Sequence, residues 1–354
     1  MNGSFPFGYI GSGFEEALKA MTGSTTLAGG WLGWFITLWA SLCMAVTRAE
    51  EAPAVPAEAA TLGPITFAVI GDFGLDIWKP KSNPDDGTKP HERRNPFQAK
   101  VADLVAGWKP DFVIAVGDNN YPKGEAATID ANIGKYYAAF IGNYKGIHGP
   151  GSKENRFFPV LGNHDWDAPG QGCKAHIDYF TLPGNERYYD FVWGPVHFFM
   201  IDNDGHEPDG TKPGSKQHQW FVKAAEASKS PFQVFVAHHP PYSSGEHGST
   251  KGTDWDIEKH GVDLMLSGHD HNYERIQQDG ITYVVNGAGG GNLRRMNKGG
   301  QVEGSAIFYH KKHGAQRVEV KPVAGKTGTW EMTSKFIDVD GEEIDSFTIT
   351  AAAR

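Results

Sequence analysis

Five apolar runs in this chain break off in the same way, and that recurrence narrows the fold more than any other feature. Ile65–Ile70 stops at Gly71-Asp72, and the run 111–116 stops at Gly117-Asp118-Asn119-Asn120-Tyr121. The run 156–161 stops at Gly162-Asn163-His164-Asp165, and 232–236 at Ala237-His238-His239-Pro240-Pro241. The run 262–266 leads into Gly268-His269-Asp270-His271. Short continuous apolar runs bounded by turn residues read as strands buried on both faces, the habit of parallel sheets. Helical patterns lie between them, at 97–108 (stopped by Lys109-Pro110), at 127–141, and at 217–227 with Trp220, Phe221, Ala224 and Ala225 on one face. Alternating strand and helix predicts an α/β fold with sheet buried between helices.

The second half has more antiparallel character. The stretch 188–201 reads as two strands turning at Trp193-Gly194-Pro195, and 281–285 as a further strand. A glycine-rich turn at 287–292 follows, then short strands to about Thr350. No repeat of fixed period and no internal linker interrupts 63–354, which reads as a single domain.

Ligands of open α/β sheets bind at the carboxyl ends of strands. There this chain places two carboxylates (Asp72, Asp118), an amide (Asn163), a phenol (Tyr121) and three imidazoles (His238, His269, His271). Residues i and i+2 of an extended backbone share a face, so His269 and His271 present their rings together. A single Gly-Asp after a strand is ordinarily a turn; five such ends in one chain are not. The set suffices for two cations with one carboxylate bridging. Mixed oxygen and nitrogen donors suit iron, manganese or zinc better than magnesium or calcium.

Charge excludes one class of partner. The net charge is −9, and basic residues occur only in short pairs such as Arg93-Arg94, Arg294-Arg295 and Lys311-Lys312, so no basic stripe exists to bind nucleic acid. The apolar segment Trp31–Val46 is short for a membrane span and suits the core of a signal peptide. The expectation is export, periplasmic or secreted, with a leader over 1–49 cleaved after Ala49 and a flexible tether over 50–62. A start at Met21 and an uncleaved membrane anchor are the alternatives; cleavage would leave no stable membrane insertion. It would also leave Cys173 as the one thiol, so no internal disulfide is expected.

These motifs, GDFG, GDNNY, GNHD, VAHHPPY and GHDH, resemble the signature of the calcineurin-like metallophosphoesterases. Tyr121, three residues after Asp118, resembles the ferric-binding tyrosine of the purple acid phosphatases. The stretch 111–121, the GNHD box and Glu246-His247-Gly248 most resemble their short tartrate-resistant branch. The resemblance implies a four-layer α/β/β/α sandwich. It also implies Asp72, Tyr121 and His271 on a ferric ion, Asn163, His238 and His269 on a divalent ion (Fe, Zn or Mn), and Asp118 bridging. It selects His238 over His239 as the ligand, leaving His239 a neighbouring pocket residue. His164 and His247 take the places of histidines that contact phosphate and donate a proton to the leaving group.

The function so implied is hydrolysis of small phosphomonoesters by metal-activated water. A phosphodiesterase on the same scaffold is the alternative, disfavoured by Tyr121. A metal-binding or redox protein without hydrolytic activity is the third reading. The glycine-rich turn lacks the Gly-Lys-Ser/Thr ending of a phosphate-cradling loop and reads instead as a turn lining the pocket. His310 and His313 read as surface residues, and His91 with Arg93 and Arg94 as a loop that could touch substrate.

Overall fold

The computed structural model describes residues 63–75, 95–251, 255–352 and 354. The leader, the tether and the loop bearing His91, Arg93 and Arg94 lie outside the described residues.

Among the described residues, thirteen strands form two sheets. In the first, the order is β13-β12-β11-β1-β2-β3, comprising β1 (Ile65–Ile70), β2 (Phe112–Ala115), β3 (Phe157–Pro159), β11 (Gly314–Pro322), β12 (Thr329–Asp338) and β13 (Glu343–Ala352). The second runs β10-β8-β9-β7-β6-β5-β4, comprising β4 (Tyr189–Trp193), β5 (Val196–Met200), β6 (Phe232–Val236), β7 (Leu264–Ser267), β8 (Tyr273–Gln278), β9 (Ile281–Asn286) and β10 (Ser305–Tyr309). Strands β1, β2 and β3 are parallel in one sheet, and β5, β6, β7 and β9 in the other, so each set ends at one edge.

Strand alternation explains the layering. Val196, Phe198 and Met200 of β5, with Val234 and Val236 of β6 and Leu264 and Leu266 of β7, point into the space between the sheets. There Phe198 meets Phe67 of β1 edge-on at 5.3 Å and Phe112 of β2 at 5.5 Å. The intervening residues Phe199, Phe235 and Met265 face the other way, into a second cluster with Phe221 and Ala225. Those two belong to helix α2 (Lys216–Ala227), which covers the second sheet; helix α1 (Pro96–Trp108) packs on β11 and covers the first. Helix, sheet, sheet, helix is the expected four-layer sandwich.

Both helix ends are written locally. Asn95 accepts from the amides of Phe97 and Gln98, Pro96 occupies the first turn, and Lys109 closes α1 in the left-handed region before Pro110. Ser215 caps α2 through the amide of His218. Trp220, expected on the buried face of α2, lies at its margin against Tyr188.

Three expectations need correction. The helix expected over 127–141 is broken into Ala126–Ile129, a π turn Asp130–Gly134, Lys135–Tyr137 and a 3-10 turn Ala138–Phe140. Asn132 in the π turn bonds the Tyr121 carbonyl and Asn120 Oδ1, each at 2.8 Å, drawing the helix onto the β2 loop. A bulge of this kind re-aims one side chain at the cost of helix regularity. The C-terminal strands are long rather than short: β11 has 9 residues, β12 and β13 10 each, with β12 alternating half-buried and buried along its whole length. His313 is buried, stacked on Phe97 at 4.5 Å, with Nε2 2.7 Å from the Gly291 carbonyl.

His176, in the short helix Lys174–Tyr179, is buried with its Nε2 unpartnered, and burial holds its pKa down at about 3 against an ordinary 6.5. The folded ring stays neutral where the unfolded one takes a proton, so its stabilising contribution is complete above about pH 6.5 and is lost as pH falls toward 3. His176→Leu is expected to lose less stability than the wild type between about pH 7 and about pH 4.5 in parallel denaturant titrations.

Candidate metal centre

All five strand ends identified in the sequence meet at one edge of the sandwich, three from the first sheet and two from the second. Asp72 follows β1, Asp118 and Tyr121 follow β2, and Asn163 opens the short helix Asn163–Trp166 after β3. His238 follows β6, and His269 and His271 follow β7. The sheets are stitched together here, because the amide of His269 donates to Asp72 Oδ2 at 2.9 Å, while within the second sheet that of Gly268 donates to the His238 carbonyl at 3.0 Å.

The glycines preceding these residues are set by close approach. A Cβ on Gly162 would lie 3.0 Å from Asp118 Cγ and closer still to its Oδ1 and backbone nitrogen. One on Gly268 would lie 2.5 Å from Asp72 Oδ2 and 2.9 Å from the Val116 carbonyl. Three of the converging residues also carry left-handed backbones: Asp72 at φ 54°, Asp118 at 50° and His269 at 69°. Such conformations cost on the order of 1–3 kcal/mol each and gather at functional sites.

Tyr121 stands at the centre of one half. Its hydroxyl lies 2.8 Å from Asp118 Oδ2, 3.3 Å from Asp72 Oδ1 and 3.1 Å from His271 Nε2. One phenolic proton cannot satisfy two buried carboxylates and an imidazole lone pair. On the other side of Asp118, His238 Nε2 lies 3.4 Å from Oδ1. His238 Nε2 and Asn163 Oδ1 are both buried without a hydrogen-bond partner. Buried carboxylates beside orphaned donor atoms of metal-ligating type are the pattern that a cation completes. Ligand atoms of Asp72, Asp118 and His238 lie within 4.8 Å of one another, as do those of His238, His239 and His269.

Ring orientations agree with this. His238 Nδ1 lies 2.9 Å from the Val116 carbonyl and His271 Nδ1 3.0 Å from that of Asn292. A carbonyl only accepts, so Nδ1 carries the proton in each ring and Nε2 turns its lone pair inward. His164 Nδ1 is bound in the same way to the Pro122 carbonyl at 2.7 Å, which leaves Nε2 facing Asp118 Oδ2 at 4.0 Å. His247 sits exposed at the mouth, its ring centre 4.4 Å from that of His269. The seven candidate ligands and the two candidate proton donors from the sequence are therefore gathered at this edge.

The charges are strongly coupled. Burial works to raise Asp118, but His238 and His164 beside it hold it well below the usual carboxylate range. Burial works to lower His238, and Asp118 overrides it, carrying His238 up to about 10. Tyr121 is pushed far above the usual phenol by burial and by Asp118 and Asp72. His269 falls to about 2 and His239 to about 4, through burial first and then the neighbouring His238. Protons and cations compete for the same lone pairs at such a site.

Several supporting groups were assigned no role by the sequence. Asp165 accepts from the amides of Gly162 and Asn119, fixing the β3 end to the β2 end, and burial with Asp118 nearby raises it to about 6. Asp270, between the two histidines, faces the opposite way and accepts from Ser243 Oγ and the amides of His247 and Gly248. His269, at φ 69°, makes 269–272 a bend rather than the extended strand end expected from the sequence, yet His269 and His271 still both reach the site. The glycine-rich turn lines the back of the site, with Gly289 and Gly291 donating to the carbonyls of Gly71 and Asp72. Cys173 is buried, and burial and Asp202 raise its thiol to about 12, a poor nucleophile.

A family model described as calcineurin-like phosphoesterase matches residues 65–273. The chain belongs to that family. Among curated relatives of this phosphoesterase, purple acid phosphatase 17 of Arabidopsis thaliana is 27% identical over 64% of this chain and 69% of its own length. Tartrate-resistant acid phosphatase type 5 of Homo sapiens is 25% identical over 64% and 73%. In fold, the phosphoesterase is similar to purple acid phosphatase PPD1 from yellow lupin seeds, with a TM-score of 0.62 at 20% identity over 81% of this chain; it spans about half of that protein, 54%. It is similar also to GAP50, the anchor in the inner membrane complex of Plasmodium, with a TM-score of 0.55 at 18% identity over 82% of this chain and 90% of that one. Among the described residues no helix is long and apolar enough to cross a membrane.

Because the β3 end closes onto Asp118 with no room for a methyl group, Gly162→Ala should destabilise the protein by about 1–3 kcal/mol. Gly205→Ala, where the added methyl meets nothing within 4 Å, should stay within about 0.5 kcal/mol of the wild type in the same urea titration.

Proposed function

We propose that this protein is a binuclear-metal phosphomonoesterase of the acid phosphatase kind, acting on small phosphate esters. The observation that carries the reading is the Tyr121 hydroxyl within hydrogen-bond reach of Asp72, Asp118 and His271 at once. A ferric ion would be held by Asp72, Asp118, Tyr121 and His271, and a divalent ion (Fe, Zn or Mn) by Asp118, Asn163, His238 and His269. Bound there, two cations would supply Lewis acidity toward a phosphoryl group and toward the attacking water.

The protein's own groups do the rest. With Nδ1 committed to the Pro122 carbonyl, His164 exchanges its mobile proton at Nε2, the atom turned to the site. Its imidazolium can pass that proton to the departing alkoxide, which leaves as alcohol while the phosphoryl group departs as orthophosphate. His247, at the mouth, would contact the ester's phosphate oxygens; partial desolvation of its ring, though the residue is exposed, and then Arg294 lower its pKa. Export through the apolar segment 31–46 belongs to the same proposal and rests on sequence.

The diesterase reading and a non-hydrolytic, metal-binding or redox reading give different assays. The proposal expects turnover of p-nitrophenyl phosphate well above that of its bis ester; the reverse order favours a diesterase, and no turnover of either by protein holding two metals favours a binding role. Asp118→Ala should lose both metals in elemental analysis together with all activity, and an active, fully metallated variant would remove the bridging role. A tyrosine phenolate on a ferric ion absorbs visible light by charge transfer, so Tyr121→Phe should abolish that band while iron remains bound; a band that survives would place another ligand on the ferric ion.

A further inference from the structure

The sequence offers two adjacent histidines after β6, and the proposed centre uses only His238. His239 is not idle packing. Its side chain belongs to a second group of possible metal ligands, in which the ligand atoms of His238, His239 and His269 lie within 4.8 Å of one another. Its ring centre is 5.0 Å from that of His238 and 4.5 Å from that of His269.

Asn203, just beyond β5, holds the ring. Its Oδ1 lies 3.2 Å from His239 Nδ1 and 3.0 Å from the His239 backbone nitrogen, while its Nδ2 donates to the His239 carbonyl at 2.8 Å. The Nδ2 bond fixes which end of the amide is the acceptor, so Nδ1 keeps its proton and donates to Oδ1, and Nε2 is left with its lone pair. His238 and His271 show the same arrangement, with Nδ1 bound to an oxygen acceptor and Nε2 free to coordinate. An acceptor behind a histidine in this position is the usual companion of a metal-bound imidazole.

We propose that His239 is a third imidazole ligand of the divalent site, oriented by Asn203, and that it biases that site toward zinc over manganese. The proposal rests on the binuclear reading above. Three nitrogens beside Asp118 and Asn163 make a donor set that favours zinc, whereas manganese prefers oxygen.

The test uses the full-length protein, stripped of metal and reloaded with iron, and titrated with zinc and separately with manganese against a chromophoric chelator. Cobalt(II) in the same site provides a visible spectrum that reports its ligands. His239→Ala is expected to weaken zinc binding by about tenfold or more, with a smaller loss for manganese and a changed cobalt spectrum. Asn203→Ala should shift zinc affinity in the same direction by less. Unchanged zinc affinity and an unchanged cobalt spectrum in His239→Ala, with the wild type taking up two cations, overturns the role of His239 alone. A wild type that never takes up a second cation overturns both this proposal and the binuclear reading. If His239→Ala fails to fold, His239→Gln serves, with the same losses expected and the same unchanged result counting against the proposal.

Discussion

Two carboxylates withdrawn from water within reach of one phenol are the arrangement around which the rest is built. Asp72 and Asp118 end neighbouring parallel strands, and both are essentially inaccessible to solvent. Left alone, such a pair would repel and would each lose hydration. Every nearby choice answers that problem. Tyr121 lies against both, His271 and His238 flank them, and the amides of His269 and His164 donate into them. The left-handed backbones at Asp72 and Asp118 are a cost the fold tolerates to hold the two side chains together.

The sandwich makes this possible because both sheets contribute parallel strands ending at the same edge. The aromatic layer of Phe67, Phe112 and Phe198 fixes how the sheets face each other. Asn286 adds a direct tie, donating from β9 to the Val69 carbonyl of β1 at 2.9 Å. A site assembled across two sheets is only as well defined as their packing, and here Phe67, Phe112 and Phe198 interlock among the Val, Leu and Met side chains of the facing strands.

Much of this was legible in the sequence because strand ends are short-range signals. An apolar run followed by glycine and a ligating residue needs no tertiary knowledge to be seen, and the convergence of five such runs follows from the sheet rule for ligands. The broken helix after Ala126 was not legible, since its cause is the reach of Asn132 back to the β2 loop, a side-chain contact that the apolar pattern does not encode. His313 was misplaced for a similar reason: two flanking lysines suggested solvent, while Phe97 and the Gly291 carbonyl claim the ring. The long antiparallel strands β11 to β13 carry an interrupted apolar pattern rich in charge and threonine, which reads locally as shorter pieces.

The tripeptide His269-Asp270-His271 has a consequence for how such a centre can diversify. Its outer members look toward the metal-ligating groups, and its middle member anchors the 243–248 loop through three hydrogen bonds. That loop carries His247 to the rim, so the seat and the doorway share one short piece of backbone. A remodelled entrance that shifts Asp270 would drag both imidazoles with it. Variation in what is admitted should therefore arise from walls contributed by other segments, leaving this hinge between floor and threshold rigid.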